Sequence, residues 1–93
     1  HIMKMGRYLK KQLDELGSDC SSVYNPRGLG LMAAFDLTTE TQRNKVKLGT
    51  LKKGLLLHGC GYTGIRLIPP YIITEDEIDE AMVIIRNVLK KGI

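Results

Sequence analysis

The segment Arg27-Gly28-Leu29-Gly30-Leu31-Met32-Ala33-Ala34-Phe35-Asp36-Leu37 carries the strongest statement about fold in this chain. From Gly28 to Leu37 the pattern has a period of two. Leu29, Leu31, Ala33, Phe35 and Leu37 fall on one face, and Gly30, Met32, Ala34 and Asp36 on the other. A period of two is the signature of an extended strand, whose side chains alternate between the faces of a sheet. The second face holds too few polar residues to lie in water. It is therefore expected to pack against another body.

Outward from this strand the pattern becomes helical. Towards the N-terminus, Met5, Leu9, Leu13 and Leu16 recur at helical spacing from Lys4 to Leu16, with Gly17 as C-cap and Ser18–Ser22 as a loop. Towards the C-terminus, Thr39 to Lys53 reads as a helix opened by a Thr39–Gln42 capping box and ended by Gly54. Its apolar positions, Val46, Leu48 and Leu51, are few, so it is expected on the surface. Leu55–His58 and Ile65–Ile68 read as short strands joined through Gly59–Gly64 into an antiparallel hairpin. Pro69-Pro70 ends the pairing, because neither residue has an N–H to donate. The last helix begins at a Thr74–Glu77 capping box. Ile78, Ala81, Met82, Ile85 and Leu89 form its buried stripe, and acidic residues sit at the positive end of its dipole. The predicted fold is α+β: a small antiparallel sheet of about three strands covered by helices, in the order α-β-α-β-β-α.

Size and composition bound the function. The chain has 93 residues, of which 43% are hydrophobic, with four Tyr, one Phe and no Trp. A domain of this size buries roughly 60–65% of the surface its unfolded chain exposes, which permits one modest core but no large catalytic chamber. Neither a signal-peptide pattern nor an apolar run near the ~20 residues of a membrane span is present. His1-Ile2-Met3 resembles the remnant of a cleaved tag, leaving 4–93 as the expected domain. The formal charge of +4 comes from 14 basic and 10 acidic residues. The basic residues are scattered along helices, which favours solvated faces over a nucleic-acid surface. Cys20 and Cys60 form no CxxC pair, and free thiols in a cytoplasmic protein are expected.

Three features invite chemistry. Gly59-Cys60-Gly61-Tyr62-Thr63-Gly64 spells the GxGxxG of dinucleotide-binding folds, but that motif requires a following helix. Here the strand-like Ile65-Arg66-Leu67-Ile68 follows, so a glycine-rich hairpin is expected instead. His58 and Cys60 could share a strand face, yet with only Cys20 as a further ligand they do not suggest a metal site. Arg66 stands in an otherwise apolar strand. A guanidinium there needs a defined partner, because an unpaired buried charge is costly. Its planar fork suits a carboxylate, although from the residues alone an exposed edge-strand arginine or a structural ion pair accounts for it slightly better.

Taken in order, several stretches resemble the C-terminal domain of class III aminotransferases, pyridoxal-phosphate enzymes of fold type I. They are Arg27-Gly28-Leu29-Gly30-Leu31-Met32, Lys53-Gly54-Leu55-Leu56-Leu57, Ile65-Arg66-Leu67-Ile68-Pro69-Pro70 and the acid-capped final helix. Arg43-Asn44-Lys45, Gly59-Cys60-Gly61 and Ile65-Arg66 are similar to 4-aminobutyrate aminotransferases. Lysine, ornithine and acetylornithine aminotransferases and related racemases are close. Tyr24-Asn25-Pro26 departs from the family's valine-rich lead-in.

The resemblance implies transfer of an amino group from an ω-amino acid to 2-oxoglutarate on pyridoxal phosphate. It implies that Arg66 binds the α-carboxylate of the oxo acid and pairs with a glutamate of the large domain in the other half-reaction. It places the Schiff-base lysine in that large domain, so no catalytic residue is expected in this chain and the chain alone is expected to be inactive. Gly30, Met32, Gly59, Cys60 and Gly61, with Leu29, are expected to face the large domain of the same chain. The complete enzyme is expected to be a cytoplasmic homodimer acting on amino and 2-oxo acids, with neither nucleic acid nor membrane as partner. A free-standing regulatory or nucleic-acid-binding α/β module is the alternative outside the family.

Overall fold

A two-residue turn at Gly30-Leu31 divides the segment that alternation presents as one strand. Gly30 adopts a φ of 60°, and glycine at the first turn position is what a type II′ hairpin requires. The computed structural model describes residues 1–91, and of Leu29 the backbone alone. The expected orientation of the Leu29 side chain and residues 92–93 of the expected domain lie outside the described residues. Among those residues the order is α1 (Ile2–Asp19), β1 (Tyr24–Leu29), β2 (Met32–Asp36), α2 (Glu40–Lys52), β3 (His58–Cys60), β4 (Gly64–Leu67) and α3 (Glu75–Lys90). The α+β class holds, but the sheet has four antiparallel strands instead of three, ordered β1-β2-β4-β3. The turn escapes a periodicity argument because Gly30 and Leu31 continue the small–apolar alternation of their neighbours, although the face changes phase across it: Arg27 shares a face with Ala34, and Gly28 with Ala33. Leu31, Ala33, Phe35 and Leu37 are all buried, although Leu31 belongs to the turn.

β1 is an edge strand. Its register shifts between Tyr24 and Arg27, and Asn25 there has a φ of 57°. Pro26 is tolerated because an edge strand with a bulge leaves an N–H unused. At the other edge β3 starts at His58, later than the Leu55 expected. Gly54, at a φ of 89°, donates its N–H to the carbonyl of Leu51, and Leu55 donates to Thr50 (2.9 Å). These two bonds form a Schellman cap that takes the Leu55 N–H away from the sheet. The register places Leu55 beyond His58 and Leu57, towards Pro69, where the facing residue has no donor.

The helices cover one face. Ala33 and Phe35 of β2 lie opposite Leu67 and Ile65 of β4. Against them pack Leu9, Leu13 and Leu16 of α1, Val46 of α2, and Ile78, Met82 and Ile85 of α3. Full burial of one such side chain contributes about 1.5–3 kcal/mol. α1 begins earlier than expected and runs past Gly17, closing where the Cys20 N–H donates to Leu16. In α2, Thr39 Oγ1 accepts from the Gln42 N–H, but Gln42 Oε1 accepts from Thr38, so the expected box is only half formed. Of the helix's three apolar positions only Val46 is buried; Leu48 and Leu51 are exposed, and Thr50 one turn from Val46 is buried. The Thr74–Glu77 box of α3 is complete.

Two polar contacts tie α1 to α3. Arg86 donates to Asp19 at 2.7 Å, and the Tyr8 hydroxyl donates to Asp79. The Asp79 hydrogen bond, with some burial and the nearby charges of Asp79, Glu75 and Glu15, raises the Tyr8 pKa from 10.0 to about 12. Because the folded-state value lies above the unfolded one, the folded chain holds the proton where the unfolded chain has lost it. This contribution is present below pH ~10 and is lost as pH rises towards 12. Ultraviolet titration should show one tyrosine ionising late, and Tyr8→Phe should remove both that step and its share of the alkaline loss of stability. An unchanged titration curve for the variant would refute the Tyr8 assignment.

Candidate functional site: the helix-free face of the sheet

The face opposite the helices is built by the same register. Arg27 lies opposite Ala34, Ala34 opposite Arg66, and Arg66 opposite His58. Residues directly opposite on antiparallel strands share a face, so these four form a row across the whole sheet. Asp36, Gly64 and Cys60 form the next row. Arg27, Met32, Ala34, Cys60 and Arg66 line an open depression of about 390 Å³ whose walls come from strands alone. Arg27 and Arg66 stand two strands apart, about 10 Å by ordinary strand spacing, with the small Ala34 between them.

The two arginines differ in their partners. Arg27 donates to both oxygens of Asp36, at 3.3 and 3.4 Å, and to the carbonyl of Asn25 at 3.0 Å. Asn25 adds a further hydrogen bond to Asp36, at 3.0 Å. This charge is therefore balanced within the domain. Arg66 is half-buried on β4, an interior strand, and among the described residues it has neither an ion pair nor a side-chain hydrogen bond. It is not an edge-strand arginine, and no ion pair holds it among the described residues. A half-buried guanidinium without a partner among the described residues has donors to offer an anion, and its planar fork suits a carboxylate.

Of the residues expected to face the large domain, Met32 and Cys60 line the same depression as Arg66. The three glycines do not. Gly30 lies at the tip of the β1–β2 hairpin, in a separate groove beside Met3, Gly6 and Lys10 of α1. Gly59 faces α2, where a Cβ would meet Arg43 Nη1 at 2.9 Å. Gly61 occupies the β3–β4 turn with a φ of 62°. The GxGxxG stretch is thus strand, turn and strand, with no helix N-terminus to hold a pyrophosphate. Both cysteines are free, and no cluster of metal-ligating side chains occurs among the described residues. No described helix is long and apolar enough to cross a membrane. The Arg27–Asp36 pair was missed from sequence. Its only signal is a cation three residues before a glycine turn and an anion five residues after it, which becomes informative once that turn is recognised.

The family model for aminotransferase class III matches residues 1–89. The acetylornithine aminotransferase of Caldanaerobacter subterraneus subsp. tengcongensis is 36% identical over 90 residues, covering 97% of this chain and 23% of the relative. The L-lysine-epsilon aminotransferase of Mycobacterium tuberculosis is 35% identical over 85 residues, covering 90% and 19%. The solved lysine aminotransferase of M. tuberculosis, in its internal aldimine form, superposes with a TM-score of 0.93 at 33% identity over 96% of this chain and 21% of that one. The chain spans about a fifth of the length of these relatives.

Enzymes of this class depend on pyridoxal phosphate. The described residues do not form a seat for it. Every lysine stands on α1, α2 or α3 or at the C-cap of α2 or α3, and none belongs to the strands that carry Arg66. A match over nearly its whole length, an α+β fold shared with a solved relative, and an arginine set on the open sheet face lead to one conclusion: the chain belongs to the class III aminotransferases.

Proposed function

We propose that this chain is the C-terminal small domain of a pyridoxal-phosphate-dependent aminotransferase that transfers a terminal amino group to 2-oxoglutarate. In this reading Arg66 binds the α-carboxylate of the oxo acid. The observation that carries it is the pairing of Arg66: a half-buried guanidinium on the helix-free face with no carboxylate of its own among the described residues. The large domain of the same chain would cover the face around Met32 and Cys60 and supply the cofactor's lysine. A cytoplasmic homodimer belongs to the same proposal, the compartment resting on the two free thiols.

The amino donor is read from the relatives. Those compared here are acetylornithine and lysine enzymes, which favours a donor with an amino-acid head and a distant amine over 4-aminobutyrate. The Arg43-Asn44-Lys45 and Gly59-Cys60-Gly61 stretches are what support 4-aminobutyrate. The test is glutamate formation from 2-oxoglutarate by the full-length protein, with N-acetylornithine, lysine and 4-aminobutyrate as competing donors. Fastest turnover with acetylornithine or lysine is expected. Preference for 4-aminobutyrate would reverse the donor assignment, and interconversion of enantiomers without glutamate would identify a racemase.

A further inference from the structure

We infer that Arg43 is a positioning residue for the carboxylate site, acting as a clamp that fixes the β3–β4 turn from the helix side of the sheet. The inference rests on the role of Arg66 proposed above. Arg43 Nη1 donates to the carbonyls of Gly61 and Gly64, each at 3.1 Å, and its Nε donates to Asn44 Oδ1 at 2.9 Å. A single nitrogen of α2 thus holds both ends of the turn. Hydrogen bonds from a charged donor are stronger than neutral ones.

The glycines of this stretch, which no dinucleotide explains, follow from the clamp at Gly59 and from the turn it holds at Gly61 and Gly64. Gly59 leaves the space through which the guanidinium passes, since a Cβ would lie 2.9 Å from Nη1. Gly61 takes the left-handed φ of 62° that turns the chain. At Gly64 a Cβ would collide with the carbonyl of Cys60 and lie 2.9 Å from Asp36 Oδ1. The turn is also tied to β2, where the Leu37 N–H donates to Thr63 at 2.9 Å.

The clamp reaches the depression through two short paths. Gly64 is paired with Cys60 and with Asp36, and Arg66 follows two residues along β4. Cys60 and Arg66 both line the depression, so the position of the turn sets one wall of the site and the strand that presents its cation. Arg43 itself lies on the opposite face and touches no substrate.

The experiment uses the full-length enzyme with Arg43→Ala, Arg43→Lys and Gly59→Ala. For Arg43→Ala the KM for 2-oxoglutarate should rise about 5–20-fold, a scale set by the sensitivity of catalytic sites to small displacements. The donor KM and kcat should stay within about twofold, because the donor half-reaction does not use Arg66. Hydrogen exchange over residues 60–65 should accelerate, while that of α3 stays unchanged. Arg43→Lys should recover much of both effects, since one nitrogen makes both bonds. Gly59→Ala should reproduce them with the arginine still present, which keeps the inference testable if Arg43→Ala does not fold. An unchanged acceptor KM, or equal losses in donor KM, acceptor KM and kcat, would overturn it. A wild-type enzyme that forms no glutamate would instead overturn the role of Arg66.

Discussion

Arg66→Ala in the full-length enzyme is expected to lower kcat/KM for 2-oxoglutarate by about 10²–10³-fold. Two parallel charge-assisted hydrogen bonds in a half-buried site correspond to about 3–4 kcal/mol, and each 1.4 kcal/mol is a factor of ten. Binding of pyridoxal phosphate, read from its absorption spectrum, should be unaffected, because no lysine or phosphate cradle lies on this face. Stability should change little, since the guanidinium makes no hydrogen bond within the domain among the described residues. Arg66→Lys separates charge from geometry. An ammonium keeps the charge and loses the fork, so its kinetics should fall between those of alanine and the parent. Equal kinetics for lysine and arginine would mean that only charge matters, and unchanged kinetics for alanine would remove the carboxylate role. Arg27 provides the contrast. Its charge is held by Asp36 and the Asn25 carbonyl, so Arg27→Ala should leave Asp36 with only the Asn25 amide as partner and affect the strand more than the acceptor.

What the amino-acid sequence made legible was local. Period-two alternation places Ala33 and Phe35 inward, and Thr74 with Glu77 announces α3. The misplaced boundaries arose where one local rule hid another. At the two-residue turn Gly30-Leu31 the small–apolar alternation of the residue types runs on although the face they point to changes phase, so a hairpin reads as one long strand. Gly54 and Leu55 complete a helix cap, which removes Leu55 from the strand its apolar character suggests. The site shows the same division. Arg66 is conspicuous because a charge interrupts an apolar strand, whereas the row joining it to Arg27 depends on registers that no single segment encodes. Arg43 is further removed, since its partners are backbone carbonyls eighteen and twenty-one positions away. Gly59, Gly61 and Gly64 matched the spacing of a nucleotide motif. The three-dimensional contacts give that spacing a different cause.

Gly6 and Gly17 of α1 should respond to the same substitution with opposite signs. Glycine within a helix costs about 0.5–1 kcal/mol relative to alanine, so alanine at either position gains that amount if space allows. At Gly17 it does: a Cβ would lie 3.6 Å from Pro26 Cγ, an ordinary contact, and Gly17→Ala should raise the stability of the chain. At Gly6 the Cβ would collide with the carbonyl oxygen of Gly30 and lie 2.7 Å from its carbonyl carbon. These are backbone atoms of the hairpin tip, held by a left-handed residue, and cannot rotate aside as a side chain would. Overpacking of this kind costs about 1–3 kcal/mol, which outweighs the helical gain. Because 1 kcal/mol moves Tm by about 4–8 °C in a domain of this size, thermal unfolding followed by circular dichroism should show Gly6→Ala below the parent and Gly17→Ala above it. A Gly6→Ala chain as stable as the parent would mean that the hairpin is not seated on α1. The consequence then extends to the site, because the strands that leave this tip carry Arg27 and Met32, which line the depression beside Arg66.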